Sequence, residues 1–311
     1  MDALGTLLIT GGTGTFGHAF TKRVLDDNLA ERVRIYSRDE YKQARMAEEF
    51  GGDPRLRFFL GDVRDREQLH RALAGVDIVV HAAAYKRIDR SALDIMAFLA
   101  VNVIGTANVI DMANARKVKK VVFLSSDKAC ASSTPYGACK SLAEWLAVNS
   151  NVLSPTRVVV TRYGNILDSR GSLLETWRKQ AEAGEPLTVT DCRMSRFWMT
   201  IEEAVDLVLL ALARGRGGEV FIPKGVARGK VVELLQERYP DTRVVEVGKR
   251  AYEKLTEELV SAEEVDRLVD CRDCYVLLPH PSLVRWEPGP YGMGRWEGVP
   301  VPAHFTYRSD G

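Results

Sequence analysis

Leu7-Leu8-Ile9-Thr10-Gly11-Gly12-Thr13-Gly14-Thr15-Phe16-Gly17 decides the reading of this chain. A short apolar strand runs into a glycine-rich loop, and residues 15–28 follow as an amphipathic helix. Glycine allows the tight turn and lets backbone N–H groups approach a pyrophosphate, while the helix N-terminus faces its negative charge. A glycine pattern alone says little, but here it lies between a strand and a helix, the context a dinucleotide loop requires.

The pattern outward from this stretch repeats the same unit. Val33–Tyr36, Leu56–Leu60, Val76–His81, Val121–Leu124 and Arg157–Tyr163 read as strands. Helical patterns at Asp39–Phe50, Arg64–Ala74, from after His81 to about Arg116, and at Pro135–Asn151 separate them. Strands alternating with helices predict an α/β fold, a Rossmann-like doubly wound parallel sheet covered on both faces. Residues 1–165 form the expected dinucleotide domain, with 200–223 (helix Ile201–Ala213, strand Glu219–Ile222) returning to it. Residues 166–199 and 224–311 form a smaller mixed C-terminal lobe for substrate, with a Gly/Pro/Trp-rich loop from Pro288 to Pro302.

The chain has 311 residues, 46% hydrophobic and 27% charged, which excludes disorder as its main state. Lys+Arg of 43 against Asp+Glu of 42 gives a net charge of +1 and argues against nucleic acid or an anionic membrane as partner. No apolar run reaches roughly 18 residues, so no membrane-spanning helix is expected. Met1-Asp2-Ala3-Leu4-Gly5 has no leader pattern. Five scattered cysteines (130, 139, 192, 271 and 274) suit reduced thiols and a cytoplasmic location. Cys271-Arg-Asp-Cys274 lacks the second ligand pair of a zinc site, so no metal is expected.

The second strand ends Tyr36-Ser37-Arg38-Asp39, with Lys42 one turn later. An acid at the strand end would take the ribose 2′-hydroxyl of NAD, whereas Ser37 and Arg38 suit the 2′-phosphate of NADP. Asp39 is also a natural helix cap, and Arg38 alone would read as a solvated surface arginine. Asp62-Val63 are expected at the adenine, and Ala82-Ala83-Ala84 give small residues where a cofactor passes. His81 reads as a packed core histidine.

The fifth strand ends Ser125-Ser126-Asp127-Lys128, and Tyr136 and Lys140 lie one helical turn apart in the next helix. An ammonium beside a phenol favours phenolate, making Tyr136 a usable base for a hydroxyl proton, with Ser126 bonded to the same oxygen.

With these residues the chain resembles an extended short-chain dehydrogenase/reductase. It resembles more closely the inverting UDP-N-acetylglucosamine 4,6-dehydratase family of polysaccharide and flagellin sugar biosynthesis. The resemblance runs through Ser37–Glu40, Ser126–Ala129, Arg162–Asn165, Asp168–Ser172, Arg193–Trp198 and Phe221–Lys224. It implies catalysis by Ser126, Asp127, Lys128, Tyr136 and Lys140. Asp127 is the implied acid for the carbon 6 hydroxyl and Lys128 the base for the carbon 5 proton. Lys128 then needs a depressed pKa, which burial beside Lys140 would supply. The implied cofactor set is Gly11, Thr13, Gly14, Thr15, Phe16, Gly17, Ser37, Arg38, Lys42, Asp62, Val63, Ala82, Ala83, Ala84, Lys86, Asn102, Tyr136 and Lys140. The implied UDP-sugar set is Lys86, Asn165, Arg170, Ser172, Arg196, Lys224, Arg250 and Glu253, with the arginines and Lys224 for diphosphate.

The chain also departs from the family. Gly248–Glu257 replaces a Gly-Ile-Arg-Pro-Gly-Glu-Lys-Leu-His-Glu stretch and loses its turn residues, and Tyr85 stands where leucine is commoner. A nucleotide-sugar epimerase or a 5,6-dehydratase is the alternative reading, and an NADP-sensing protein without catalysis a remote one. Helices around 95–116 and 135–151 are expected to pair two copies into a homo-oligomer.

Overall fold

The computed structural model describes residues 4–152, 154–250, 253–283 and 298–311. The chain begins with β1 (Thr6–Thr10), buried along its whole length, then α1 (Thr15–Asp26), β2 (Arg32–Ser37) and α2 (Glu40–Glu49). Next come β3 (Leu56–Leu60), α3 (Arg66–Ala72) and β4 (Ile78–His81). α4 (Ile88–Ser91), α5 (Ile95–Phe98), a π-helical segment (Leu99–Ile104) and α6 (Gly105–Ala115) make up the single long helix the sequence predicts. They lead to β5 (Lys120–Leu124), α7 (Pro135–Asn149) and β6 (Arg157–Thr161). The second half adds β7 (Asn165–Ile166), α8 (Leu173–Glu182), β8 (Leu187–Val189), β9 (Ser195–Met199), α9 (Ile201–Arg214) and β10 (Val220–Pro223). It ends with β11 (Ala227–Lys230), α10 (Val231–Arg238), β12 (Val244–Glu246), β13 (Glu258–Val260), β14 (Leu268–Cys271), β15 (Cys274–Leu277), β16 (Gly298–Pro300) and β17 (Tyr307–Arg308).

Among the described residues the main sheet runs β16-β14-β15-β10-β6-β5-β4-β1-β2-β3. The strands from β3 to β10 pair in parallel, as Val/Ile/Leu-dense strands buried on both faces do. β1 lies between β2 and β4, so the chain changes direction across the sheet there and leaves a crevice at the strand ends.

Sequence reading put all of 224–311 in the smaller lobe. Instead the β14–β15 hairpin extends the main sheet antiparallel to β10. Its strands are apolar and mostly buried, and they cover what would be an open edge of β10. Cys271-Arg-Asp-Cys274 is the tight turn of this hairpin, with both cysteines buried. Most of the predicted loop 288–302 lies outside the described residues. The lobe has its own small core of Leu174, Trp177, Leu187, Val189, Met194, Trp198, Val231 and Leu235.

The stretch Ile95–Ala115 is, by length and composition, apolar enough to cross a bilayer, although its uninterrupted apolar run Ile95–Val101 ends at Asn102. Half of its most apolar window is buried within the protein. Asn102 and Asn108 point inward, Asp111 pairs with Arg66 at 2.8 Å, and the stretch packs on α3 and α7, the setting of a core helix.

Arg162, just beyond β6, ties helix α7 to the lobe. Its buried guanidinium pairs with Glu144 of α7 and with Glu264, 2.7 Å away in the turn after β13, and it donates to the Leu259 carbonyl at 2.9 Å. Arg162→Met leaves two buried carboxylates without their partner. It should destabilise the fold by roughly 3–5 kcal/mol in denaturant titration, and a loss well under 1 kcal/mol would show that the cluster is dispensable.

Candidate active site

The glycine loop is built for an anion. Gly11 has φ +67°, and a Cβ there would lie 2.8 Å from the Ala83 Cα, so only glycine lets β1 and β4 close around the loop. The N-cap of α1, Gly14, offers no side-chain cap, which leaves the first N–H groups of the helix pointing at the crevice. A cavity of about 1180 Å³ opens from this loop. Ser37, Arg38, Lys42, Asp62, Val63, Ala82, Ala83, Ala84 and Lys86 lie along it, and at its far end Ser126, Lys128, Tyr136, Lys140 and Asn165. The length of this cleft, its glycine floor and its uncapped helix fit a nicotinamide dinucleotide.

Local chemistry places the far end. Thr134 caps α7 by accepting from the Gly137 N–H at 2.9 Å, and Pro135 pre-sets its first turn. A Cβ on Gly137 would lie 2.4 Å from the Lys128 carbonyl oxygen. Glycine at that point therefore allows Tyr136 to sit beside Lys128. Ser126 caps the short turn Asp127–Ala129 and hydrogen-bonds Tyr136.

Asp127 and Lys128 are bonded in the interior, not on the surface. The Lys128 ammonium donates to Asp127 Oδ1 and to Asn165 Oδ1, each at 2.9 Å, and lies 3.7 Å from Glu257. Ser126 Oγ donates to the same Asp127 oxygen at 2.8 Å, while Asp127 Oδ2 is buried without a hydrogen bond.

The charge states differ from those expected. Burial favours a neutral Lys128, but Asp127 and Glu257 outweigh it and the opposing Arg196, so its pKa is raised rather than depressed. Lys140 is the lysine that burial depresses, to about 8, with Glu144 opposing. It donates to the Leu124 carbonyl at 2.6 Å and lies over the Phe123 ring. Burial pushes the Tyr136 phenol up to about 12. The charge that pulls it back is Lys128, not the Lys140 expected from helical spacing. His81 is the core histidine expected: burial lowers its pKa to about 3, and its ring bonds Thr10 at 2.6 Å and Thr106 at 3.0 Å.

These features belong to a known family. Residues 7–279 match the family described as polysaccharide biosynthesis protein. The chain belongs to this family. It is 40% identical, over 98% of its length and 92% of the relative's, to the UDP-N-acetylglucosamine 4,6-dehydratase (inverting) of Campylobacter jejuni. It is also 40% identical, over 87% of its length and 82% of the relative's, to a UDP-glucose 4-epimerase of Rickettsia massiliae. Among solved structures, Pen from Bacillus thuringiensis aligns over 100% of this chain and 94% of its own, with TM-score 0.91 and 32% identity. DesIV, a dTDP-glucose 4,6-dehydratase from Streptomyces venezuelae solved with NAD, aligns over 80% and 86%, with TM-score 0.74 and 27% identity.

Within the family fold, the loop residues Gly11, Thr13, Gly14, Thr15, Phe16 and Gly17 all line the cavity. Arg170 lies there too, but reaches the nucleotide loop, donating to the Thr13 carbonyl at 2.7 Å, so it sits on the cofactor side of the substrate set. Lys86 faces Ser169 at 3.4 Å, and its pKa is lowered by burial and by Arg170. Ser172 lines the cavity and caps α8.

Six of the expected site residues lie off the cavity wall, among them Asp127, which is fully buried and reaches the cleft through Lys128. Asn102 is buried behind the cleft, where it exchanges two 2.8 Å hydrogen bonds with the Tyr85 backbone and so shapes the loop after β4. Lys224 pairs with Asp270 on β14 and covers Tyr275, away from the cavity wall. Arg196 spends its buried guanidinium on the carbonyls of Ser195, Lys254 and Leu255, clamping the segment that carries Glu257. Arg250 is more than half exposed and pairs with Glu253 at 3.3 Å, neither on the cavity wall. Two contributors were missed: Glu257 beside Lys128, and Tyr85, whose hydroxyl accepts from Arg38 at 2.7 Å.

Lys140 gives a pH test. Its folded pKa of about 8 lies below the ordinary 10.5. The unfolded chain therefore binds more protons between those values, and this group makes stability rise with pH from about 8 to 10.5. The stability of wild type minus that of Lys140→Met should rise across that window in pH-resolved denaturation. A flat or falling difference contradicts the assignment.

Proposed function

We propose that the chain is an NADP-dependent UDP-N-acetylglucosamine 4,6-dehydratase that inverts carbon 5 and gives a 4-keto-6-deoxy sugar nucleotide. The observation that carries this reading is the buried Asp127–Lys128 pair beside Tyr136 at one end of a dinucleotide cleft. An epimerase needs one base at carbon 4. It has no use for a second buried acid–base pair, whose desolvation would then be a cost without a task. The near-full-length likeness to the inverting dehydratase supports the same choice.

Bound NADP supplies oxidation at carbon 4 and reduction at carbon 6. Tyr136, polarised by Ser126 and Lys128, removes the carbon 4 hydroxyl proton. A ketone at carbon 4 acidifies the carbon 5 proton. Lys128 and Asp127 share one proton, and the reactive form carries it on Asp127. The Lys128 amine then takes the carbon 5 proton, and Asp127 protonates the departing carbon 6 hydroxyl. Lys140, fixed on the Leu124 carbonyl and lining the cleft, would help hold the cofactor there.

NADP over NAD is inferred from Ser37 and Arg38 on the cleft, with Arg38 held over the Tyr85 ring, its Cζ 4.9 Å from the ring centroid. A homo-oligomer and a cytoplasmic location belong to the same reading. Ile95, Met96, Ile104, Leu142 and Trp145 expose apolar surface on the two long helices, and the cysteines are unpaired thiols.

The direct test is UDP-N-acetylglucosamine in deuterium oxide with the product read by NMR. Deuterium at carbon 5, inversion there and loss of the carbon 6 hydroxyl are expected. A carbon 4 epimer without carbon 5 exchange would overturn the dehydratase reading. Tyr136→Phe should stop every step. Lys128→Met should slow NADPH formation, because Tyr136 loses the charge that eases it toward phenolate, but block carbon 5 exchange outright, and Asp127→Asn should allow exchange yet slow dehydration by about 10²–10⁴-fold. Arg38→Ala should weaken NADP far more than NAD in a binding titration, and equal weakening would remove the case for NADP.

A further inference from the structure

Glu257 is a buried carboxylate whose side chain faces two lysines and is not needed to fix its own segment. Only 3% of the residue is exposed. Its segment is fixed by the main chain: the Glu257 N–H donates to Ser309 Oγ at 2.9 Å, and its carbonyl accepts from the Ser309 N–H at 2.9 Å. Ser309 Oγ in turn lies 2.8 Å from Ser195 Oγ. The carboxylate takes no part in these bonds. Its Oε2 is buried without a hydrogen bond. It meets two ammonium groups, Lys128 and Lys254, each at 3.7 Å. Lys254 is committed elsewhere, donating to the Cys130 carbonyl at 2.7 Å. A buried carboxylate so poorly bonded costs several kcal/mol unless its charge is used. The charge it faces in the cavity is that of Lys128.

We propose that Glu257 is a positioning residue for the elimination half of the reaction, forming with Asp127 a two-carboxylate cradle that holds Lys128 and stabilises the ammonium it becomes on taking the carbon 5 proton. The inference rests on the dehydratase reading. In that step the carbon 5–hydrogen bond breaks and its proton goes to the Lys128 amine. The freed electron pair forms the carbon 5–carbon 6 double bond. The carbon 6–oxygen bond breaks, and the hydroxyl leaves as water with the proton of Asp127. Lys128 gains one positive charge and Asp127 one negative. Glu257 stays anionic throughout, so it favours the state after proton transfer over the state before it.

The groups that face this cradle are Asp127 from the turn after β5, Tyr136 from α7, Arg196 from β9 and Lys254 from Glu257's own segment. Arg196 opposes a charged Lys128 and Asp127 supports it, so loss of Glu257 shifts the balance toward the amine.

Glu257→Gln keeps the side-chain shape and every main-chain bond. In the ligand-free protein with isotope-labelled lysine, the Lys128 NMR signal is identified by its loss in Lys128→Met. It should titrate at lower pH in Glu257→Gln by roughly one unit or more. With UDP-N-acetylglucosamine in deuterium oxide, the acid limb of carbon 5 exchange should move the same way. The plateau should fall by about tenfold or more, while single-turnover NADPH formation stays within roughly threefold of wild type. If Glu257→Gln folds poorly, Glu257→Asp serves, with a Lys128 titration close to wild type and restored exchange. An unchanged Lys128 titration, or equal losses of NADPH formation and exchange, overturns the proposal. Absence of exchange in the wild type overturns the dehydratase reading, and the lysine titration still decides whether Glu257 acts on Lys128.

Discussion

A lysine ammonium shut inside a protein is the constraint around which the rest is arranged. The Lys128 side chain is only 13% exposed, and burying such an ion costs several kcal/mol. Carboxylates at 2.9 and 3.7 Å each return on the order of 4–6 kcal/mol at an effective dielectric near 20, so two of them can carry the burial where one is marginal. The partners come from distant parts of the chain. Asp127 follows β5, Asn165 opens the lobe, and Glu257 lies near its end. The lobe must therefore close on the dinucleotide domain before Lys128 can be buried at all.

Arg162 and Arg170 secure that closure from opposite ends. Arg162 joins α7 to the segment after β13, so the helix that carries Tyr136 and Lys140 is held to the segment next to Glu257. Arg170 crosses from the lobe to the nucleotide loop at the Thr13 carbonyl, and its backbone N–H reaches Thr15 Oγ1 at 3.2 Å. One contact fixes the catalytic end of the cleft and the other its phosphate end. Phosphate oxygens there would meet Arg170, Lys86 and the N-terminus of α1 together, a local positive pocket in a chain of net charge +1.

What the sequence reveals is what short-range chemistry decides. The glycine loop, the Val/Ile/Leu strands and the Tyr136–Lys140 spacing each depend on a handful of neighbouring residues, and the doubly wound sheet follows from them. The hairpin Leu268–Leu277 was misplaced because apolar strands do not announce which edge they will cover. Asn102, Arg196 and Lys224 have side chains suited to ligands, but carbonyls and a carboxylate distant in sequence occupy them. Glu257 went unread because its segment departs from the family's turn and because nothing local marks a carboxylate as buried. Arg250 failed for the converse reason: its motif partner Glu253 was present, yet the pair turned away from the cavity.

The two lysines show why residue type and spacing could not settle the chemistry. Lys128 and Lys140 both line the far end of the cleft, and both lose solvation. Lys140 has its Leu124 carbonyl and an aromatic ring, with Glu144 as its counter-charge, and burial wins, so its pKa falls. Lys128 has two carboxylates, and charge wins, so its pKa rises. Tyr136 lies between these environments, raised by its own burial and lowered chiefly by Lys128. On the proposed roles, the base for oxidation is therefore tuned by the residue that serves elimination. When Lys128 is charged, Tyr136 is eased toward phenolate. In the proposed mechanism, passing that proton to Asp127 withdraws this help and frees the amine for carbon 5. On that proposal, one proton moving over the 2.9 Å between Lys128 and Asp127 orders the two halves of the reaction without any movement of the backbone.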